Sequence, residues 1–478
     1  MINTIIWNFF GNDNNVIEPC NILHKNNIIN IKYSFGIKEF EHFDKNIKHI
    51  TFDSLFQQEV IKSKYDHNQE DNEFLNNIAD KYWGYFSLMN HRNIINSKAT
   101  DLVRRLDINH NYHFFRLLIN FYYNLIKKDN IEFILFAEFP HIAVDFTLYV
   151  VAKELGIKTL FFYQLILENK FAWAESIEDL SNILYKDLDL NPNNIESIKY
   201  NVQTPLYMKN IKDVCFEGLK KNNITIFKFI KILITLILGK SKFLEYITKK
   251  YSHFYIRKSS YINYISNRNK LMSQDVVLSK KYVYFPLHLQ PELTTIAMGG
   301  YIYHDQLRAI EDLRSRLPKD VEIYVKENPK QTYIQRPDEF FWRLSMIEGV
   351  KFINIKFDTF KLLQNCLFCA SITGTAGFEA IHIGKSALIF GHAFYNNIEG
   401  VFKFDDDLDI NQVINYKIDS NKLEKDLRKL NKKLGRGIIT LEIYSDMYPK
   451  FNLEQNIKDL TKNFTQIINH IFKKDVKQ

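Results

Sequence analysis

At 478 residues the chain is too long for one compact core, so two domains are the expectation. Hydrophobic residues at 46% and charged residues at 25% exclude an intrinsically disordered chain. A formal net charge of +8 favours anionic partners such as nucleotides, phosphates or an acidic membrane surface, and is too small and dispersed to argue for nucleic acid. Four cysteines, Cys20, Cys215, Cys366 and Cys369, are too few for a disulfide framework and fit a reducing compartment. The opening MINTIIWNFFGND lacks a basic n-region and a small-residue cleavage site, so no signal peptide is expected.

In the first hundred residues, Thr4–Phe10, Ile28–Tyr33 and Ile47–Phe52 read as strands between Asn/Asp-rich turns. Phe114–Ile126 is apolar almost all round and reads as a buried helix. Ile131–Phe136 is a strand, Val144–Leu155 a helix stopped by Gly156, and Ile157–Tyr163 a second strand. Ligands of open α/β sheets bind beyond the carboxyl ends of the strands, where Glu138 and His141 fall, with Asp145 one helical turn on. The competing reading is that Glu138 and Pro140 only cap the helix. From Asn191 to Met272 the chain is rich in Lys and Asn. Its apolar run Ile224–Leu238 is shorter than the roughly 20 residues a membrane span needs. Lysines flank it on both sides, leaving two readings: a buried interdomain helix, or a basic amphipathic segment on an anionic leaflet.

The C-terminal half alternates strands and helices: Tyr282–Pro286, His304–Leu317, Val321–Val325, Asp338–Ser345, Val350–Ile353 and Thr359–Asn365. This alternation predicts a parallel, doubly wound sheet. It leads into Leu367–Phe390, read as strand, Thr373-Gly374-Thr375-Ala376-Gly377 turn, helix ending at Gly384, and strand. Such a turn aims free N–H groups and the positive end of a helix dipole at an anion. Thr373 and Thr375 add donors, and Glu379 can accept from sugar hydroxyls. Polar loops leave the other strands as well, carrying His288, Gln290 and Glu292, then Lys326, Asn328 and Pro329, then His392 and Tyr395. Four such loops on one rim predict a site. Cys366 and Cys369 form a C-x-x-C with no second pair and read as buried packing. Asp405-Asp406-Asp407 reads as a solvated loop, and no obligatory metal is expected.

The set PLHLQPE, YVKENP, SITGTAGFEAIHIGK and FGHAFY resembles the capsule polysaccharide biosynthesis family over about Tyr282–Phe402, and less strongly over Ile131–Gln164. That family contains transferases of Kdo, an acidic sugar delivered as its CMP adduct. The resemblance implies an α/β protein of two Rossmann-like domains facing a cleft, the GT-B architecture, with a mostly helical basic insertion. The expected bounds are 1–190 for an acceptor domain, 191–278 for the insertion, 279–450 for a nucleotide-sugar donor domain and 451–478 for a basic terminal helix. A looser similarity to bacterial sialyltransferases matches Lys326 and Pro329 to a Lys-x-His-Pro motif, and Ser371, Thr373 and Thr375 to a Ser/Thr-rich motif. Asn328 stands where histidine is usual, and asparagine can donate a hydrogen bond but not carry positive charge.

The expected donor-binding set is therefore His288, Gln290, Glu292, Lys326, Asn328, Pro329, Thr373, Gly374, Thr375, Gly377, Glu379 and Tyr395. Glu138 is the expected catalytic base, with His141 orienting it or replacing it and Asp145 in reserve. The expected activity is inverting transfer of a CMP-activated ulosonic acid to a glycan or glycolipid, without a cofactor, on the cytoplasmic face of the inner membrane. Anionic lipid and capsule assembly proteins are the expected partners. A UDP-sugar transferase, a UDP-sugar 2-epimerase and a catalytically silent assembly or export partner are the alternatives.

Overall fold

The computed structural model describes residues 1–8, 15–36, 46–51, 67–96, 108–200, 202, 259, 262–273, 276–290, 293–300, 302–329, 331, 336, 338–440 and 451–473. The run Ile224–Leu238 and Glu292 lie outside them. Among the described residues no helix is long and apolar enough to cross a membrane.

Two seven-stranded sheets organise the chain. The first begins with β1 (Ile2–Asn8), α1 (Ile17–Lys25), β2 (Ile29–Gly36) and β3 (Lys48–Thr51). Two long helices follow, α2 (Gln69–Asn96) and α3 (Ile108–Lys128), the second containing the expected buried helix. Then come β4 (Phe133–Phe136), α4 (Ala143–Glu154), β5 (Lys158–Gln164) and β6 (Lys170–Ala174). The strands β3-β2-β1-β4-β5 pair in parallel, with β6 antiparallel on β5. β4 is buried throughout because helices cover both faces of a parallel sheet, which is why its sequence, FILF, does not alternate. Gly156 takes φ +68° just past α4, a left-handed residue that favours glycine.

The second sheet is wholly parallel. Its elements in chain order are β7 (Met272–Ser273), β8 (Tyr282–Pro286), α5 (Gln306–Arg316), β9 (Glu322–Lys326), α6 (Asp338–Met346), β10 (Val350–Ile353), α7 (Thr359–Asn365), β11 (Phe368–Ser371), α8 (Thr375–His382), β12 (Ser386–Ile389) and β13 (Val401–Lys403). Asp305 and Asp358 cap α5 and α7 by accepting from backbone N–H groups of the first turn. The strand order is β13-β12-β11-β8-β9-β10-β7. Cys366 and Cys369 pack in the core beside β11, where burial pushes the Cys366 thiol up to about 12.

After α9 (Ile410–Asn415) and α10 (Ser420–Lys433) the chain returns to the first sheet. β14 (Gly435–Arg436) pairs antiparallel with β6, and α11 (Leu453–Lys473) lies against α1. Leu460, Phe464 and Ile467 of α11 share a core with Cys20, Leu160 and Phe162. Another core is common to both halves of the molecule, joining Phe139, Ile142 and Leu165 to Met298, Phe378 and Phe394.

Candidate active site at the strand rims

In the second sheet the chain runs outward from β8 to β10 and then crosses back to β11 on the other side of β8. The crevice between β8 and β11 is therefore the switch point where open α/β sheets take ligands. His288 follows β8 and Ser371 closes β11, and His288 Nε2 lies 3.0 Å from Ser371 Oγ. The Gly374 N–H donates to that same Oγ at 3.1 Å. With the amide hydrogen directed at Oγ, the hydroxyl proton is free to point to the imidazole, and Nδ1 faces the Thr294 hydroxyl at 3.4 Å. Burial, helped by the nearby Arg336 cation, lowers the His288 pKa to about 4, so the ring is neutral near pH 7.

The turn between β11 and α8 is held from three sides. The Thr373 hydroxyl donates to the Thr294 carbonyl at 2.8 Å, and the Tyr395 hydroxyl donates to the Gly374 carbonyl. Gly374 is the N-cap of α8, without a side-chain cap. A Cβ there would meet Ser371 Oγ at 2.8 Å and His288 Nε2 at 3.0 Å. A Cβ at Gly377 would meet the Tyr395 hydroxyl at 2.6 Å. Glycine at these two positions is what lets the imidazole and the tyrosine reach the turn.

A second layer fixes the His288 loop. Gln306 accepts from the His288 N–H at 2.7 Å and donates to its carbonyl at 3.1 Å. Gln331 does the same for Gln290, at 2.8 and 3.0 Å. Arg336, almost wholly buried, pairs with Glu327 at 3.1 Å and donates to the His288 carbonyl at 3.0 Å and to the Gln290 side chain. Gln306, Gln331 and Arg336 do not emerge from sequence reading. They sit 18 to 48 positions from the backbone they clamp, and no local pattern announces a contact at that range.

Other expected donor residues are placed differently. Lys326 turns toward α7, donating to the Phe357 carbonyl at 2.7 Å and the Thr359 hydroxyl at 2.6 Å. Burial lowers its pKa to about 8, against the opposing pull of Asp358. Asn328 sits in the β9 loop, its N–H donating to Glu327 at 2.9 Å and its carbonyl accepting from Gln331, and Pro329 follows in the turn. An imidazole of this rim thus comes from His288, in the loop after the neighbouring strand β8. Glu379 is a buried residue of α8, with the Thr375 hydroxyl 3.4 Å away.

In the first sheet the crevice between β1 and β4 receives the loop holding Glu138. Glu138 is half-buried and accepts from the Thr440 hydroxyl at 2.6 Å. His141 is buried, its Nδ1 2.8 Å from the Phe139 carbonyl. Asp145, the reserve candidate for the base, caps α4: it is buried and accepts from the Ile142 N–H at 2.9 Å. Burial raises its pKa well above the ordinary range, opposed by three backbone donors. The loop packs on β5, Phe139 against Tyr163 at 5.8 Å, and Phe139 shares a core with Phe378, Phe394 and Tyr395 of the other domain. Ser181 closes the contact, 3.0 Å from His392 Nδ1 and accepting through its carbonyl from Asn397 at 2.5 Å. Among the described residues no group of three or more His, Cys, Asp or Glu side chains is placed to hold a metal ion.

Two doubly wound domains joined by a common core, each with a polar crevice at its switch point, define a two-Rossmann protein with the architecture expected of GT-B transferases. Residues 239–434 match the family described as capsule polysaccharide biosynthesis protein, a span that includes the whole β8–β11 rim. The resemblance read from the motifs holds over that stretch. Among solved structures the chain is similar to the β-Kdo 2,7 transferase KpsC of Thermosulfurimonas dismutans, at 11% identity and a TM-score of 0.30, covering 71% of this chain and 87% of that one. A β-Kdo 2,4 transferase KpsC of the same organism matches at 11% identity and 0.31, covering 70% and 88%. The UDP-GlcNAc 2-epimerase of Methanocaldococcus jannaschii matches at 11% and 0.23, covering 91% and 94%. No curated protein matches the chain.

Proposed function

We propose that the protein is an inverting, metal-independent glycosyltransferase of surface polysaccharide synthesis that uses a CMP-activated ulosonic acid. The observation that carries this reading is the β8–β11 crevice, where a neutral imidazole, two hydroxyls and the uncapped start of α8 converge within the stretch matching the capsule family. Those donors suit a leaving phosphate, whose developing charge must be stabilised for transfer. Glu138, on the other rim, takes the proton of the acceptor hydroxyl as its oxygen bonds to the anomeric carbon. The bond from that carbon to the phosphate breaks, and the nucleotide leaves with the electron pair. Lys326 supplies positive charge near the phosphate when the ammonium swings off the Phe357 carbonyl. In this reading the apolar run Ile224–Leu238 and its flanking lysines bring the protein to the anionic inner leaflet.

Incubation of the purified protein with CMP-Kdo or UDP-GlcNAc, with and without EDTA, tests the reading. Release of CMP from CMP-Kdo, insensitive to EDTA, is the expected result. Turnover of UDP-GlcNAc instead assigns a UDP-sugar transferase or epimerase. Turnover of neither with a range of acceptors favours the silent assembly partner, the role that the uncharged Asn328 suits.

A further inference from the structure

Away from both crevices, one face of α10 borders a groove of about 670 Å³ in which six cationic side chains stand against three anionic ones. The three carboxylates are satisfied within the wall: Asp189 pairs with Lys433 at 2.6 Å, Glu424 with Arg428 at 2.5 Å, and Asp426 accepts from the Glu399 N–H at 3.0 Å. Lys422 is held by Glu399 at 2.6 Å. That leaves Lys425, Lys429 and Lys432, none of which has a carboxylate partner among the described residues. Their spacing of four and then three residues places them on one helix face, about 6 and 4.5 Å apart along the axis.

The ladder stands on a fixed base. Leu427 and Leu430 bury the opposite face of α10. At its end the Asn191 N–H donates to the Lys432 carbonyl at 2.9 Å, and the Asn431 side chain donates to the Glu196 carbonyl at 3.0 Å. Lys429 lies 5.0 Å over the ring of Tyr185, which is 61% exposed. An exposed aromatic face beside a row of ammonium groups is the combination that receives a sugar ring carrying a carboxylate. Among the described residues no large apolar side chain lines this groove, as a membrane-inserting surface would require.

We propose that the α10 groove is a binding site for an acidic polysaccharide, holding several anionic sugar residues of the chain being extended, outside the reaction crevice. The proposal builds on the glycosyltransferase reading, and its test does not need the activity. Soluble polysialic acid is the probe, with neutral dextran and phosphatidylserine vesicles beside it. The full chain is expected to bind polysialic acid and not dextran, with affinity falling as salt rises. Lys425→Glu, Lys429→Glu and Lys432→Glu together should weaken that binding about tenfold or more without changing the melting temperature or nucleotide affinity. The Gln counterparts should weaken it less. Absence of binding to polysialic acid at low salt, equal binding to dextran, or unchanged affinity in the triple Glu variant overturns the proposal. Loss of vesicle binding alone, with polymer binding intact, also overturns it and assigns the groove to a membrane. If no nucleotide sugar is turned over while the charge-dependent polymer binding persists, the transferase reading falls and the groove stands.

Discussion

The two sheets share a strand order around β1 and β8, β3-β2-β1-β4 in one and β10-β9-β8-β11 in the other, yet their crevices are furnished in opposite ways. The β8–β11 crevice is built of donors and small residues: the Thr373 and Gly374 amides, the Ser371 and Thr373 hydroxyls, and glycines where a Cβ would collide. The stretch after β4 presents carboxylates, Glu138 half-buried in the loop and Asp145 buried in the first turn of α4 as a helix cap. In the proposed reading, one topology thus yields a rim for an anion and a rim for a proton, and the side chains at the strand ends decide which.

The largest expected effect breaks the proton-receiving side. Glu138→Gln should lower turnover by about 10²–10⁴-fold while nucleotide affinity stays the same, since the proposed donor site is on the other rim. Steady-state rates and calorimetry separate the two. Wild-type turnover in this variant, with loss in His141→Ala, moves the base to the imidazole.

On the other rim, Arg336→Met leaves the Glu327 carboxylate buried without its cation and should cost about 3–5 kcal/mol in urea denaturation. Adding Glu327→Gln should recover much of that loss. A small cost in the single variant would mean that the clamp on His288 does not depend on this ion pair.

Gly374→Val sharpens the contrast at the turn itself. Its Cβ displaces either the Ser371 hydroxyl or His288, so nucleotide binding should weaken about tenfold or more, the value of one to two lost charge-assisted hydrogen bonds. The melting temperature separates this from unfolding, and Gly374→Ala should fall between. Unchanged affinity in a folded Val variant removes the phosphate from this turn.

The last expected effect is a pH dependence. The folded His288 titrates near 4 and its unfolded counterpart near 6.5, so between these values the unfolded chain binds more protons. This contribution to stability is complete above pH 6.5 and is lost progressively as pH falls toward 4, on the order of 3 kcal/mol in all. His288→Asn should flatten that part of the stability profile. An equally steep profile in the variant would assign the titration elsewhere.

Sequence reading reached the strand-turn-helix-strand unit at Leu367–Phe390 because everything that defines it is local: an apolar run, five small residues, and Gly384 at φ +77° where the helix stops. It placed Glu138 just past the end of β4 by the same logic, counting from the end of a strand. It anticipated donors at the rim but not that Lys326 would bond to the α7 turn, since direction across a strand depends on register with β8 and β10. α1 and β6 went unread for a similar reason. Short elements in Asn-rich or mixed sequence are stabilised by the cores they join more than by their own pattern.

The return of the chain at β14 and α11 bears on how the protein is made. The first sheet's Cys20, Leu160 and Phe162 face is covered by side chains that are synthesised some 300 residues later than Leu160. During translation the second sheet can close on itself, its strands all lying between 272 and 403, while the first must wait with an apolar face open. The order of domain completion is therefore the reverse of the order of synthesis. A chain stopped just past α9, whose Ile410 and Val413 complete the second sheet's core, should fold that half and leave the other half as a substrate for chaperones and proteases.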